Sequence, residues 1–340
     1  MSVDLAGTGK KRTSIMMLFL RVLLGTVLFA LAVSEPAQAQ NWPTRPIRLI
    51  VPTGPGLGTD ITARLLADGV SRGLGQQMYV ENLPGASGIV GAQAAARAAP
   101  DGHTLLFANA STFTSNMFML KSIPYDPVHD FTAVAMVSHR GPFVVSVNPQ
   151  LPVKSLPELI AYAKANPGKL SYGVDASSGY GVVVGRLLNK RGALGMVEVP
   201  YRATAQMLQE TAAGTTQLMI SSFGAVVGFA DSGKVRRIAI SSGQRFPGAD
   251  DLPTIGETLP GFELDGWLLV VARTGTPAEI VARLNHEIGH FLENPEIQQR
   301  LLALGLATTG IETPETTAQF IRQQQTQWRA LAHELDLQPE

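Results

Sequence analysis

Apolar and polar positions change period repeatedly along this chain: short β-branched runs alternate with stretches in which apolar residues recur every three or four positions, the pattern of strands interleaved with amphipathic helices. Residues 47–51 predict a first strand, and 61–73 a helix with Ile61, Leu65, Leu66 and Val70 on one face. Strands are predicted at 78–81 and 104–108, with a turn over 82–88 and a small-residue helix over 90–98 between them, and a polar loop over 109–115 behind them. A strand over 143–147 leads to a second unit, whose first helix opens with the capping box Ser155-Leu156-Pro157-Glu158. Further strands are predicted at 170–174, 198–201, 218–221 and 237–241. Residues 267–272 read as a returning crossover strand, and Thr276-Pro277-Ala278-Glu279 as a helix start with proline at its first position. The order predicts an α/β fold with mostly parallel sheets in two units, joined by two chain crossings that would act as a hinge.

Candidate chemistry lies where strands end. The first strand runs into Gly54, Gly56 and Gly58 and then a helix start, an arrangement expected to leave loop N–H groups free for an anion at a helix N-terminus. Three successive strand ends carry glycine or hydroxyl loops, which an open α/β sheet gathers at its carboxyl edge. Asp60, in the first helical turn, serves either that helix N-terminus or a ligand, the former being favoured. Arg202, at another strand end, suits an acidic ligand as well as it suits solvent.

The first forty residues change the picture of where the chain works. Lys10, Lys11, Arg12 and Arg21 lead into the apolar run 22–33, and Ala37-Gln38-Ala39 forms a small-x-small cleavage site, so 1–39 is expected to be a signal peptide cut near Ala39. The run is short for a membrane anchor. Cleavage would leave 301 residues with a net charge of −2, which gives no electrostatic reason to expect nucleic acid. The absence of cysteine excludes disulfides, thiolate metal sites and a cysteine nucleophile.

Two motifs invite enzymatic readings. The glycine loop, with Glu81 closing the second strand, resembles a dinucleotide fingerprint, but Thr59 stands where its third glycine belongs. His286-Glu287-Ile288-Gly289-His290 matches the H-E-x-x-H pattern of zinc hydrolases, with Glu312 and Glu315 as unsupported third ligands. Both histidines fall opposite the apolar stripe of Ile280, Val281, Leu284, Ile288 and Phe291, so a solvated helix face is the expected account and no metal is assigned. No G-x-S-x-G elbow surrounds Ser177, Ser178 or Ser221.

In order along the chain, RPIRLIVPTGPGLGTD (45–60), VENLPGASGIVGA (80–92), PDGHTLLFANAST (100–112), IPYDPVHDF (123–131), KSLPELIAYAKANPGKLSYG (154–173), VPYR (199–202) and GTPAEIVARLN (275–285) resemble the substrate-binding proteins of the tripartite tricarboxylate transporter (Bug) family. The resemblance implies a two-lobed, type II Venus-flytrap periplasmic binding protein with lobe 1 at 40–145 and 268–340 and lobe 2 at 146–267. Such a receptor is not an enzyme and carries no cofactor; it closes on a small organic acid and delivers it to integral-membrane permease subunits. A periplasmic monomer is expected, and the same scaffold would also serve a ligand-sensing partner of a signalling system. The site carried over comprises Thr53, Gly54, Gly56, Leu57, Gly58, Asp60, Ala86, Ser87, Gly88, Ala110, Ser111 and Thr112 in lobe 1. Lobe 2 contributes Ser177, Ser178, Gly179, Arg202, Ala203, Thr204 and Ser221. Thr53, Gly54 and Leu57 replace the family's aromatic, first proline and a glycine; Val182 replaces a common histidine and Ala203 a glycine. Ser221 stands where many relatives carry aspartate, which removes a reason to bind an amino acid.

Overall fold

The structure, a computed structural model, describes residues 42–175, 179–308 and 310–339. The expected signal peptide and the predicted ligand residues Ser177 and Ser178 lie outside the described residues.

Strand β1 (Ile47–Val51), β-branched and buried, is followed by helix α1 (Gly58–Leu74). The helix starts three residues ahead of its predicted apolar stripe because the first turn, Gly58–Asp60, is polar yet well suited to a helix N-terminus. Then come β2 (Met78–Asn82), α2 (Ile89–Ala96) and β3 (Thr104–Asn109). The predicted loop after β3 instead winds into one helical turn, α3 (Ala110–Phe113), because the Asn109 side chain accepts the Thr112 N–H at 3.2 Å; α4 (Asn116–Met119) follows.

Strand β4 (Phe131–Val147) is longer than the sequence predicts. Gly141-Pro142 punctuates the chain as a turn would, but here it marks where one strand leaves one sheet for another. The second unit runs α5 (Leu156–Ala165), β5 (Ser171–Asp175), α6 (Tyr180–Gly192), β6 (Val197–Tyr201), α7 (Thr204–Ala213), β7 (Leu218–Ser222), α8 (Phe223–Asp231) and β8 (Arg236–Ile240). Strand β9 (Asp265–Arg273) returns to the first sheet, followed by α9 (Ala278–Glu293), α10 (Pro295–Ala303) and α11 (Pro314–Leu335). The capping box at α5 is half formed: Ser155 accepts the Glu158 N–H, but the Glu158 carboxylate accepts from Lys154 N–H at 2.8 Å. Pro277 is the N-cap of α9 rather than its first residue.

The strand order is β2-β1-β3-β9-β4-β7-β5-β6, with β8 also on β4. β1 pairs in parallel with β2 and β3, and β5 with β6 and β7. Every antiparallel pairing involves β4 or β9, the two crossover strands. The register fixes where the strand tips lie. Asn109 of β3 aligns with Leu268 of β9, which aligns with Ser138 of β4, while Ser222 of β7 aligns with Phe143 of β4. β3 runs along β4 and β7 runs against it, so the carboxyl ends of the two parallel sets point toward each other across His139–Pro142. At about 3.3 Å per residue the gap along β4 is roughly 16 Å.

That gap has the make-up of a hinge. The pairing of β4 with β9 shifts register between Ser138 and Gly141, and Gly141 faces Gly266, where a Cβ on either residue would lie 3.3 or 3.1 Å from the other's carbonyl oxygen. Beside them the Asp265 carboxylate accepts the Ser242 hydroxyl. Burial pushes the Asp265 carboxyl up to about 6, a rise that Glu263 adds to and that Ser242 and Arg140 hold back. Helix α11 spans both sides of the hinge: the Gln325 side chain donates to the Phe113 carbonyl, and Glu334 pairs with Arg191 of α6 at 2.8 Å.

Candidate functional site

On the first sheet, the loops after β1, β2 and β3 meet at Gly88, where a Cβ would lie 3.0 Å from Thr112 Cγ2 and 3.2 Å from Pro52 Cβ. Around Gly54, Gly56 and Gly58 an added Cβ would find nothing within 4 Å, so these glycines leave open space beside the backbone. The expectation that all the loop N–H groups are free needs correction. Gly56, at φ +79°, donates its N–H to Asp60 Oδ2 at 2.8 Å. Asp60, only 2% exposed, also accepts from Asn82 Nδ2 at 2.8 Å and from the Arg64 guanidinium at 3.1 and 3.0 Å, while Asn82 Nδ2 reaches the Thr53 carbonyl at 3.0 Å. Burial opposes ionisation of Asp60, but the bonds from Arg64, Gly56 and Asn82 outweigh it and hold its carboxyl below the usual range. Asp60 therefore clamps the glycine loop from behind.

Residues 85–88 all have positive φ, with Ala86 at +46° and Ser87 at +54°. Two adjacent non-glycine residues in this region store about 1–3 kcal/mol each. The close packing of Gly88 and the bond from Asn116 Nδ2 to the Ser87 carbonyl, 3.1 Å, hold the turn in place. Ala110 and Thr112 are buried and Ser111 is half-buried; the Thr112 carbonyl accepts the Tyr125 hydroxyl at 2.8 Å.

On the second sheet, β5, β6 and β7 each lead into a helix. The N-caps Gly179, Ala203 and Ser222 make no side-chain capping bond, and neither do Leu57 and Gly88 ahead of α1 and α2. Elsewhere α5, α10 and α11 are capped by Ser155, Asn294 and Thr313 while α9 is not, and at the tip of β3 the single turn α3 is capped by Asn109. Five N-termini without a side-chain cap thus lie on strand tips of the two facing edges, an arrangement suited to anions where the first N–H groups are free; at α2 the Gly88 and Ile89 N–H groups already donate to the Gly85 and Ala86 carbonyls. Arg202 and Ala203 are exposed, Thr204 is half-buried, and Arg202 makes no ion pair among the described residues. The hydroxyls of Thr53 and Ser221 are buried without a hydrogen-bond partner among the described residues.

Sequence reasoning missed Ser222, the exposed hydroxyl beside fully buried Ser221, because β7 is apolar on both faces and alternation does not separate the two. It also missed Tyr180. The hydroxyl of this residue, at the start of α6, accepts from Trp328 Nε1 at 2.7 Å and lies 3.2 Å from Thr114 Oγ1, which donates to the Ala110 carbonyl at 2.6 Å. Burial drives the Tyr180 hydroxyl well above the usual tyrosine range. Through this chain of bonds the loop after β3 contacts the helix after β5.

The enzymatic motifs find no such convergence. Glu81 pairs with Arg48, and Glu312 with His139 at 2.8 Å. His286 and His290 are exposed on α9, and no cluster of three metal-ligating side chains occurs among the described residues. A cavity of about 650 Å³, lined in part by Arg140, Asp265, Trp267 and Trp328, lies between α6, α11 and the crossover strands, and none of the predicted ligand residues lines it.

Comparison with known proteins matches residues 62–337 to the tripartite tricarboxylate transporter family receptor model. The chain is 32% identical over 317 residues to Protein BugT of Bordetella pertussis, covering 93% of this chain and 97% of that one. Among solved structures it superposes on R. palustris Rpa4515 with adipate, at TM-score 0.83 and 32% identity, covering 88% of this chain and all of that one. It also superposes on MatC from Rhodopseudomonas palustris with bound malate, at TM-score 0.77 and 30% identity, covering 86% and 100%. The two-sheet α/β architecture with paired crossover strands is thus that of a periplasmic binding protein, and the chain belongs to the tripartite tricarboxylate transporter receptor family.

Proposed function

We propose that this protein is a non-enzymatic, exported solute receptor that closes two lobes, 40–145 with 268–340 and 146–267, around a small carboxylate and delivers it to a tripartite permease. The observation that carries the reading is the set of five uncapped helix N-termini on the facing strand tips, with Arg202 beside one of them. Relatives solved with adipate and malate point to the same ligand chemistry. The first lobe would hold one end of the ligand at Thr53–Gly58 and Ser87–Gly88, braced by Asp60. The second would hold the other at Gly179, Arg202–Thr204 and the Ser221–Ser222 tip. Only the shut form lets both lobes donate to one guest, so ligand shifts the population toward closure.

Calorimetric titration with adipate, malate and other short dicarboxylates tests the assignment. Arg202 is exposed, so Arg202→Ala should fold normally and lose one charge-assisted interaction of about 1.5–3 kcal/mol, a 10- to 150-fold weaker Kd. Equal affinity in the variant and the wild type would remove Arg202 from the site.

A further inference from the structure

The HEIGH motif is not absorbed by the receptor function, and its geometry is specific. On α9, Ile280, Leu284, Ile288 and Leu292 are buried, while His286 and His290 point outward one turn apart. Their ring centres are 4.4 Å apart and their planes stand at 89°. Two imidazole nitrogens bound to one ion at about 2.0–2.1 Å lie roughly 3 to 3.4 Å apart, a spacing within reach of rings placed this way. Glu293 Oε2 comes within 3.5 Å of His290 Nδ1, the outer carboxylate that commonly orients a ligating ring and leaves its Nε2 for the metal.

The rest of the motif departs from a hydrolase. The Glu287 carboxylate lies over α1, so close that a Cβ on Gly73 would come within 1.8 Å of its Oε2. It is thus turned against α1. Among the described residues no third His, Asp or Glu completes a cluster.

We propose that His286 and His290 form a two-histidine chelate for a borderline divalent transition ion of the Cu²⁺, Ni²⁺ or Zn²⁺ class, with water in the remaining positions and no catalytic role for Glu287. Bridging successive turns, the ion stabilises α9 in the folded state only, so binding appears as a raised Tm.

The test is titration of tag-free protein with CuCl₂ and with ZnCl₂ in a non-chelating buffer, followed by calorimetry and thermal melts. One equivalent should bind, Cu²⁺ more tightly than Zn²⁺, with Tm rising by a few degrees. His286→Ala and His290→Ala are surface changes expected to fold normally. Each should weaken uptake by about tenfold or more and abolish the Tm shift. Glu287→Gln should leave metal affinity unchanged. The proposal is overturned by the absence of stoichiometric uptake, by uptake that survives either histidine substitution, or by affinity that falls with Glu287→Gln.

Discussion

Replacing Trp328 with alanine is expected to lower the unfolding free energy by about 3–5 kcal/mol, the range for truncating a buried aromatic. Trp328 is 1% exposed, its ring centre lies 4.7 Å from that of Tyr180, and its Nε1 donates the 2.7 Å bond that satisfies the Tyr180 hydroxyl. Truncation removes a large apolar contact from α11 and the donor to a buried hydroxyl on α6, which keeps only its 3.2 Å bond with Thr114 Oγ1, and the two costs fall at one position. Trp328→Phe keeps most of the volume and loses only the donor, so its cost should be nearer 1–3 kcal/mol. Urea denaturation of both variants measures this. If Trp328→Ala costs no more than Trp328→Phe, the aromatic is not a packing element between α11 and α6.

The second large effect is expected at Asp60. Asp60→Asn keeps the shape of the side chain but presents an amide NH₂ where one carboxylate oxygen accepted Gly56 N–H or Asn82 Nδ2, so one of these two bonds to the buried Asp60 side chain is lost. Arg64 loses its carboxylate partner as well, though its half-exposed guanidinium can turn to water. The cost should be about 2–3 kcal/mol of stability, and ligand affinity should fall because the glycine loop loses its brace. The wild-type contribution also has a defined pH window. Because the folded-state carboxyl titrates below its unfolded value, its stabilisation is present above the ordinary carboxylate range of about 3.9 and is lost as pH falls through the lower, folded value. The variant should therefore lose less stability than wild type on acidification below about pH 4. Urea melts at pH 7 and pH 3 check this, and equal losses in the two proteins would contradict it.

Much of the fold is legible in the chain because burial leaves a periodic trace. β1, β2 and β3 begin at the residues their apolar runs predict, and β1 also ends there. The crossover β4 is half hidden because Gly141-Pro142 has the composition of a turn, and only pairing with β9, more than a hundred residues away, makes it a strand. The candidate site is legible at the level of loops, since glycine and hydroxyl residues at strand ends stand out. It is not legible at the level of roles. Asp60 lies in the first turn of α1, as its favoured reading has it, but its role as a brace depends on Arg64 and Asn82, and Asn82 itself is just the last residue of a strand. Tyr180 and Trp328 lie 148 positions apart, a contact that no local pattern announces.

Small-angle X-ray scattering of the protein, titrated with short dicarboxylates, bears most directly on whether two facing sheet edges shut on an acidic guest. A saturable fall in the radius of gyration with at least one of them, absent with the matching diol, is the predicted result. An unchanged scattering profile for a dicarboxylate that calorimetry shows to bind would contradict it.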